Sequence, residues 1–196
     1  MEIIKFKVTG PEGITEITDQ IKDYVERHRI KDGLIMLQTP EKTAAVTFAD
    51  PLDKDIEKEY ILKMNKVLPR YDGMRFSGWS SMNIKASFVG QSLQLMVQQG
   101  SPVFGLHQGV FALDFGGGSE EHIIFISHIG TTLAEGEMPS VPAVLEEYNT
   151  NLAKAEAQQK AEEEQAVREM REEYNARLKY LEEHPEDKNV RSDREL

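Results

Sequence analysis

The sequence predicts an α+β fold, with a largely antiparallel sheet and helices followed by one long C-terminal α-helix. Three observations carry this. Along residues 1–135 apolar positions switch between strict alternation and helical spacing. Glycine and proline clusters cut that stretch into short segments. After Gly136 glycine stops, and Ala, Glu, Gln, Lys and Arg dominate.

Ile4, Phe6 and Val8 alternate with Lys5 and Lys7, which predicts a half-buried strand. Gly10-Pro11-Glu12-Gly13 is a turn. Ile17, Ile21, Tyr24, Val25 and His28 recur at helical spacing behind Thr18-Asp19, a start signal for a helix. Gly33–Leu37 reads as a buried strand and Ala44–Phe48 as another. Asp53 can cap a helix whose apolar face is Ile56, Tyr60, Met64 and Val67 or Leu68, stopped at Pro69. A short helix or turn covers Ser81–Phe88. Strands follow at Leu93, Leu95 and Val97, at Val103–Phe104, and at Val110, Phe111, Leu113 and Phe115. The last strand runs from Ile123 to Ile129. Gly116-Gly117-Gly118 joins it to its predecessor as a flexible hairpin, with an anion-binding backbone nest as the alternative. The order β-α-β-β-α-(α)-β-β-β fits a largely antiparallel α+β domain over 1–135.

Pro139 and Pro142 mark a linker at 136–142, because two prolines cannot lie inside a helix. A helical extension is expected over 143–184 and a disordered charged tail over 185–196. Apolar residues fall at 141, 145, 148, 152 and 155, then at 167, 170, 174, 178 and 181. Glu164–Arg168 and Glu173–Arg177 sit at i,i+4. An unbroken helix here would be roughly 60 Å long. Its centre, 156–165, is polar, which argues against one continuous coiled coil. Self-association or a protein partner is expected through 145–155 and 167–181. A solubilising arm is the plain alternative.

The 196 residues carry 34 acids against 23 bases, a formal charge of −11. That disfavours non-specific nucleic-acid binding. No apolar run is long enough to span a bilayer, and the N-terminus lacks a signal-peptide pattern, so no membrane role and a cytoplasmic location are expected. With 0 cysteines, disulfides, thiolate metal sites and cysteine nucleophiles are excluded. No dinucleotide fingerprint, P-loop, zinc-protease, calcium-loop or hydrolase-elbow motif occurs.

Five histidines remain. His28 suits a helix C-terminus and His184 lies in the tail. His122 and His128 share one parity on a strand but stand about 20 Å apart, too far for one metal. His107, in Gly105-Leu106-His107-Gln108-Gly109, is the candidate acid–base group, with a structural role as the alternative. Residues 86–153 hold no Lys or Arg, so a phosphate-bearing ligand must be held by Lys85, Arg75, Arg70, Lys42 or backbone amides. Read alone, Lys85 is a solvated or snorkelling side chain.

Several stretches resemble one known family. Pro40-Glu41-Lys42-Thr43-Ala44-Ala45-Val46-Thr47 is similar to a Pro-His-Thr-Thr-Ala-Ala/Gly-Val-Thr strand. Asn83-Ile84-Lys85-Ala86-Ser87-Phe88-Val89-Gly90-Gln91-Ser92-Leu93 resembles His-Ile-Lys-Ala-Ser-Leu-Leu-Gly-x-Ser-Leu, the most specific match. Gly105-Leu106-His107-Gln108-Gly109-Val110-Phe111 resembles Gly-Thr-Trp-Gln-Gly-Ile-(Tyr/Phe). These are motifs of the YjbQ-like family, small trimeric proteins described as secondary thiamine-phosphate synthase enzymes, and the likeness runs from about Phe6 to Gly130. It implies a homotrimer and a polar, histidine-rich pocket. Thr43, Asp53, Lys85, Ser87, Gln108 and Gly109 are kept. The family histidines are exchanged: Glu41 stands for one, Ser81-Met82-Asn83 for a His-x-His, and Leu106-His107 for Thr-Trp. Ala49-Asp50 stands where the family has Asn-Glu.

Asparagine can hydrogen-bond but cannot titrate, and glutamate titrates near neutrality only when buried. The expectation is therefore a divergent homotrimer with a degenerate site and a non-enzymatic assembly or ligand-binding role. A structural subunit of a larger particle belongs to the same class. The alternative is weak thiamine-phosphate-synthase-like or phosphate-ester chemistry at a subunit interface. If chemistry survives, Glu41, Asp50 and His107 would form the replacement set. Thr43, Ser81, Asn83, Lys85, Ser87 and Gln108 would bind a small phosphate-bearing ligand. No metal and no cofactor is expected.

Overall fold

A computed structural model describes residues 1–69, 78–116 and 121–184. It divides into two compact units, Met1–Asn149 and Thr150–Leu196. The strands are β1 (Glu2–Phe6), β2 (Gly13–Glu16), β3 (Ile30–Gln38), β4 (Ala44–Ala49), β5 (Ser92–Gln98), β6 (Ser101–Pro102), β7 (Gly109–Asp114) and β8 (His122–Thr132). The helices are α1 (Thr18–Arg27), α2 (Ile56–Val67), α3 (Gly78–Val89) and α4 (Ala143–Glu183).

The strands form two sheets, not one: five strands ordered β1-β8-β3-β5-β6 and three ordered β2-β7-β4. Every pairing is antiparallel. The larger core lies between the sheets and under α1. Ile4, Ile35, Leu37, Ile124 and Ile126 of the large sheet meet Ile21, Val25, Val46 and Val110 there. Each such side chain contributes about 1.5–3 kcal/mol by leaving water. The small sheet's other face carries Ala45, Phe111 and Leu113 against Met82 and Ala86 of α3 and half-buried Ile56, Tyr60 and Met64 of α2. β7 is thus buried on both faces, which is why Gly109-Val-Phe-Ala-Leu-Asp114 shows no apolar–polar alternation.

The structure corrects several local expectations. Gly33–Leu37 is not buried throughout: Leu34 and Met36 face outward on the large sheet, beside Met96 and Ile129. Gly33 and Gly130 pair across β3 and β8, and a Cβ on either would lie 2.2 Å from a backbone oxygen of the other strand. Only glycines permit that approach. The loop after β7 is no hairpin, because β7 and β8 belong to different sheets. Gly117 and Gly118 lie outside the described residues. Val103 and Phe104 follow a two-residue strand instead of forming one. That strand is made by a turn at Gln99-Gly100, both at positive φ (54° and 85°), the geometry of a tight two-residue hairpin.

Neither expected helix cap acts as one. Val110 N–H donates to Thr18 Oγ1 (3.0 Å), tying α1 to β7. Asp55 occupies the cap position of α2, and Asp53 Oδ1, two residues earlier, accepts from the Asp55 N–H (2.9 Å). Val67 is exposed, so the α2 apolar face is Ile56, Tyr60, Ile61 and Met64. The charged segment 185–196, expected to be disordered, lies outside the described residues, as do Arg70 and Arg75.

Candidate functional site

Glu41 sits between β3 and β4, where the chain passes from the large sheet to the small one. Its backbone N–H donates to Thr39 Oγ1 (3.2 Å), and Gln91 Nε2 donates to its carbonyl (2.9 Å). Held this way, its carboxylate reaches the start of β8. Oε1 accepts from the Ile123 N–H (2.9 Å), and Oε2 accepts from His122 Nδ1 (2.8 Å). The His122 side chain is 1% exposed and lies against the Phe6 ring, centroids 5.1 Å apart. On its far side Nε2 stands 3.7 Å from Oδ2 of buried Asp114. Asp114 Oδ1 accepts from the Thr43 hydroxyl and Oδ2 from the Gly116 N–H, both at 2.9 Å. Glu41 therefore pairs with His122, a histidine whose distance from His128 excludes only a shared metal.

Lys85 is neither solvated nor snorkelling: its side chain is 0% exposed. α3 turns it, with Met82 and Ala86, toward the small sheet. Nζ donates to Asn65 Oδ1 and stands 3.4 Å from Glu12 Oε2. Asn65 Nδ2 donates to the same carboxylate at 2.9 Å, and the Phe115 ring centroid lies 5.8 Å from Nζ. An open cleft of about 480 Å³ lies between β2 and α2, with Glu12 and Asn65 in its wall.

The expected ligand set does not gather around Lys85. Residues two apart on a helix point to different sides, so Asn83 and Ser87 share a face that Lys85 does not. Ser87 is exposed and its hydroxyl donates to the Asn83 carbonyl (2.8 Å). Asn83 Oδ1 is buried without a hydrogen-bond partner. Ser81 Oγ donates to the Pro69 carbonyl (3.2 Å).

Asp50 and His107 meet at the opposite end of the small sheet. The register Ala44↔Asp114 to Ala49↔Gly109 separates the two ends by five residue steps, about 17 Å. His107 Nδ1 stands 3.8 Å from Asp50 Oδ2, with the side chains 34% and 41% exposed. Gln108 Oε1 accepts from the Gly105 N–H (3.1 Å) and shapes the turn. Within one chain, then, Glu41, Asp50 and His107 do not form a single constellation. Among the described residues no group of three His, Asp or Glu side chains could hold a metal ion.

A further polar cluster joins α1 to the edge of the large sheet. The Tyr24 hydroxyl and His128 Nδ1 share a hydrogen bond of 2.9 Å, and Glu2 bridges His28 (2.6 Å) and Arg27 (2.9 Å). Burial, then the neighbouring His28, hold His128 below the usual imidazole range. The Arg27 and His28 hydrogen bonds hold Glu2 below the usual carboxylate range.

These shifts set a pH dependence. As pH falls through 6.5, the unfolded chain protonates His128 while the fold still disfavours that proton, so stability is lost. The Glu2 contribution persists until pH falls below 4.5. The thermal midpoint should drop between about pH 7 and about pH 5.5, and His128→Gln should flatten that slope. An unchanged slope in the variant would contradict the assignment.

Comparison with known proteins agrees with this architecture. The YjbQ-like UPF0047 protein family matches residues 2–131. A UPF0047 protein of Methanocaldococcus jannaschii is 27% identical over 114 residues, covering 58% of this chain and 83% of its own. The UPF0047 protein YugU of Bacillus subtilis is 24% identical over 119 residues, covering 60% and 90%. The crystal structure of a YjbQ/UPF0047 family protein from Clostridium acetobutylicum superposes with a TM-score of 0.62 at 25% identity, covering 66% of this chain and 100% of its own. The YjbQ-like fold thus occupies the first unit, α4 lies beyond the matched residues, and the chain belongs to the YjbQ-like UPF0047 family.

Proposed function

We propose that this chain is a divergent homotrimeric member of the family whose ancestral pocket has become a structural polar cluster. It acts as a non-enzymatic assembly or ligand-binding protein in the cytoplasm. One observation carries this reading: His122 and Lys85 are each buried against a carboxylate of the same chain. His122 is 1% exposed between Glu41 and Asp114, and Lys85 is 0% exposed beside Glu12. A proton donor or phosphate anchor must reach a ligand within hydrogen-bond distance. The trimer is supported by the outward row Met96–Leu34–Ile129 across β5, β3 and β8, with Met36 beside it. An apolar row on a sheet face suits a subunit contact.

The enzymatic alternative rests on His107 and Asp50, a partly exposed pair that could move a proton at a subunit interface. Light scattering on the full chain should give three copies, and Leu34→Glu should dissociate them. Phosphate monoesters and thiamine phosphate should show no turnover dependent on His107 or His122. Turnover abolished by His107→Ala, with the fold intact, would replace the first reading by the second.

A further inference from the structure

Helix α2 holds no fully buried residue, although Ile56, Tyr60, Ile61 and Met64 pack against the small sheet. Beside that stripe stands Leu62, 54% exposed and outside the core. Lys58, Ile61, Leu62 and Asn65 recur three or four residues apart, so they share one helix face. That face, with Glu12 and Ile14, walls the cleft of about 480 Å³ between β2 and α2. Small-molecule sites occupy roughly 300–1,000 Å³. None of the cleft's lining residues falls in the motif segments 40–47, 83–93 and 105–111.

Ile14, Ile61 and Leu62 give the cleft apolar walls, and Glu12 and Asn65 give it a fixed polar contact. Buried Lys85 donates to Asn65 Oδ1, so the amide oxygen is held by the ammonium. Asn65 Nδ2 donates to Glu12 Oε2 at 2.9 Å. A side-chain amide nitrogen carries two N–H groups, and a carboxylate accepts at about four positions. Asn65 therefore keeps a second N–H beside a carboxylate that can accept again. Lys85 does not line the cleft; it orients the amide that does.

Charge and geometry select the ligand. Glu12 and Glu57 stand with Lys58 and Lys85, two acids and two bases, so neither an anion nor a cation is favoured. Either ion would also lose hydration against Ile61 and Leu62. A neutral group that accepts from Asn65 and donates to Glu12 fits. A primary carboxamide or a lactam carries C=O and N–H on one edge. A trans secondary amide sets them on opposite edges and reaches one partner only.

We propose that this cleft binds a small uncharged molecule with an apolar body and a primary carboxamide or lactam edge. Its carbonyl accepts from Asn65 Nδ2, and its N–H donates to the Glu12 carboxylate. This goes beyond the role proposed above, which names neither a site nor a ligand class for binding.

Benzamide is the probe. Titrated into the full chain with labelled Ile and Leu methyl groups, it should give saturable NMR shifts at Ile61, Leu62 and the Asn65 side-chain amide, at millimolar affinity. Benzoate and benzylamine keep its shape and add charge, and N-methylbenzamide loses the shared edge. Each should bind about five-fold more weakly or worse, the loss of one net hydrogen bond. Leu62→Glu, at an exposed position, should keep the fold and weaken benzamide several-fold. Absence of saturation, equal affinity for any of the three analogues, or unchanged affinity in Leu62→Glu would each overturn the inference. Three copies in light scattering beside such a failure would leave the assembly reading standing. Turnover lost in His107→Ala beside selective benzamide binding would remove that reading and keep this one.

Discussion

Lys85→Met is expected to destabilise the first unit by about 3–5 kcal/mol, the range for removing one partner of a buried ion pair. Methionine nearly fills the lysine stem, so little cavity opens between α3 and the small sheet. What disappears is the ammonium beside Glu12, whose side chain is 9% exposed, and beside the Asn65 carbonyl oxygen. The Glu12 carboxylate keeps its burial and loses the ammonium that faces it. The thermal midpoint should fall by roughly 10 °C. A double-mutant cycle with Glu12→Gln separates charge from packing: the pair of changes together should cost less than the sum of the two. A loss below about 1 kcal/mol would mean that Lys85 is in effect solvated, as the sequence alone suggests.

That disagreement shows where the sequence stops being informative. Alternation marks β1, β5 and β8, a short apolar run marks β4, and helical spacing marks α1, α2 and α4, because those signals are local. β2 went unread, since Gly13-Ile14-Thr15-Glu16 offers four residues between a turn and a helix. The division into two sheets has no local signature at all. It is decided by which strands find partners, and β7 looks the same on paper whether it pairs with β8 or with β2 and β4. The outward row on the large sheet was hidden for a related reason. Gly33–Leu37 is apolar on both faces, so its pattern could not tell the core side from the open side.

The polar groups follow the same logic. Glu41, Thr43, Asn83 and Lys85 were singled out by family resemblance, but their partners are remote. Lys85 finds Asn65 at a separation of 20 residues and Glu12 at 73. Glu41 finds His122 at 81. One signal for His122 was present: it shares the parity of Ile124 and Ile126 and so faces inward. An inward histidine needs a partner, and the Glu41 carboxylate supplies it. Of the expected set Glu41, Asp50 and His107, the end of the β4–β7 ladder brings Asp50 and His107 to 3.8 Å, and Glu41 lies at the other end.

Glu41→Ala tests whether that inward histidine is a structural clasp. The carboxylate satisfies two donors, the N–H of half-buried Ile123 and Nδ1 of buried His122, and it joins the β3–β4 connection to the start of β8. His122 in turn faces Asp114 at the end of β7. The cluster thus closes one end of the space between the sheets. Removing Glu41 strands both donors and leaves His122 held from the Asp114 side alone, at a cost of about 2–4 kcal/mol. Glu41→Gln keeps an amide oxygen for one donor but turns the other contact into a neutral pair, so it should fall between wild type and Glu41→Ala. Urea unfolding of the three proteins gives the order directly. Hydrogen exchange should localise the loss to the amides of Ile123 and Gly116 before the centre of the large sheet responds. If Glu41→Ala instead leaves stability and exchange unchanged while abolishing a measured turnover, Glu41 acts on a substrate, and the clasp is the wrong description of it.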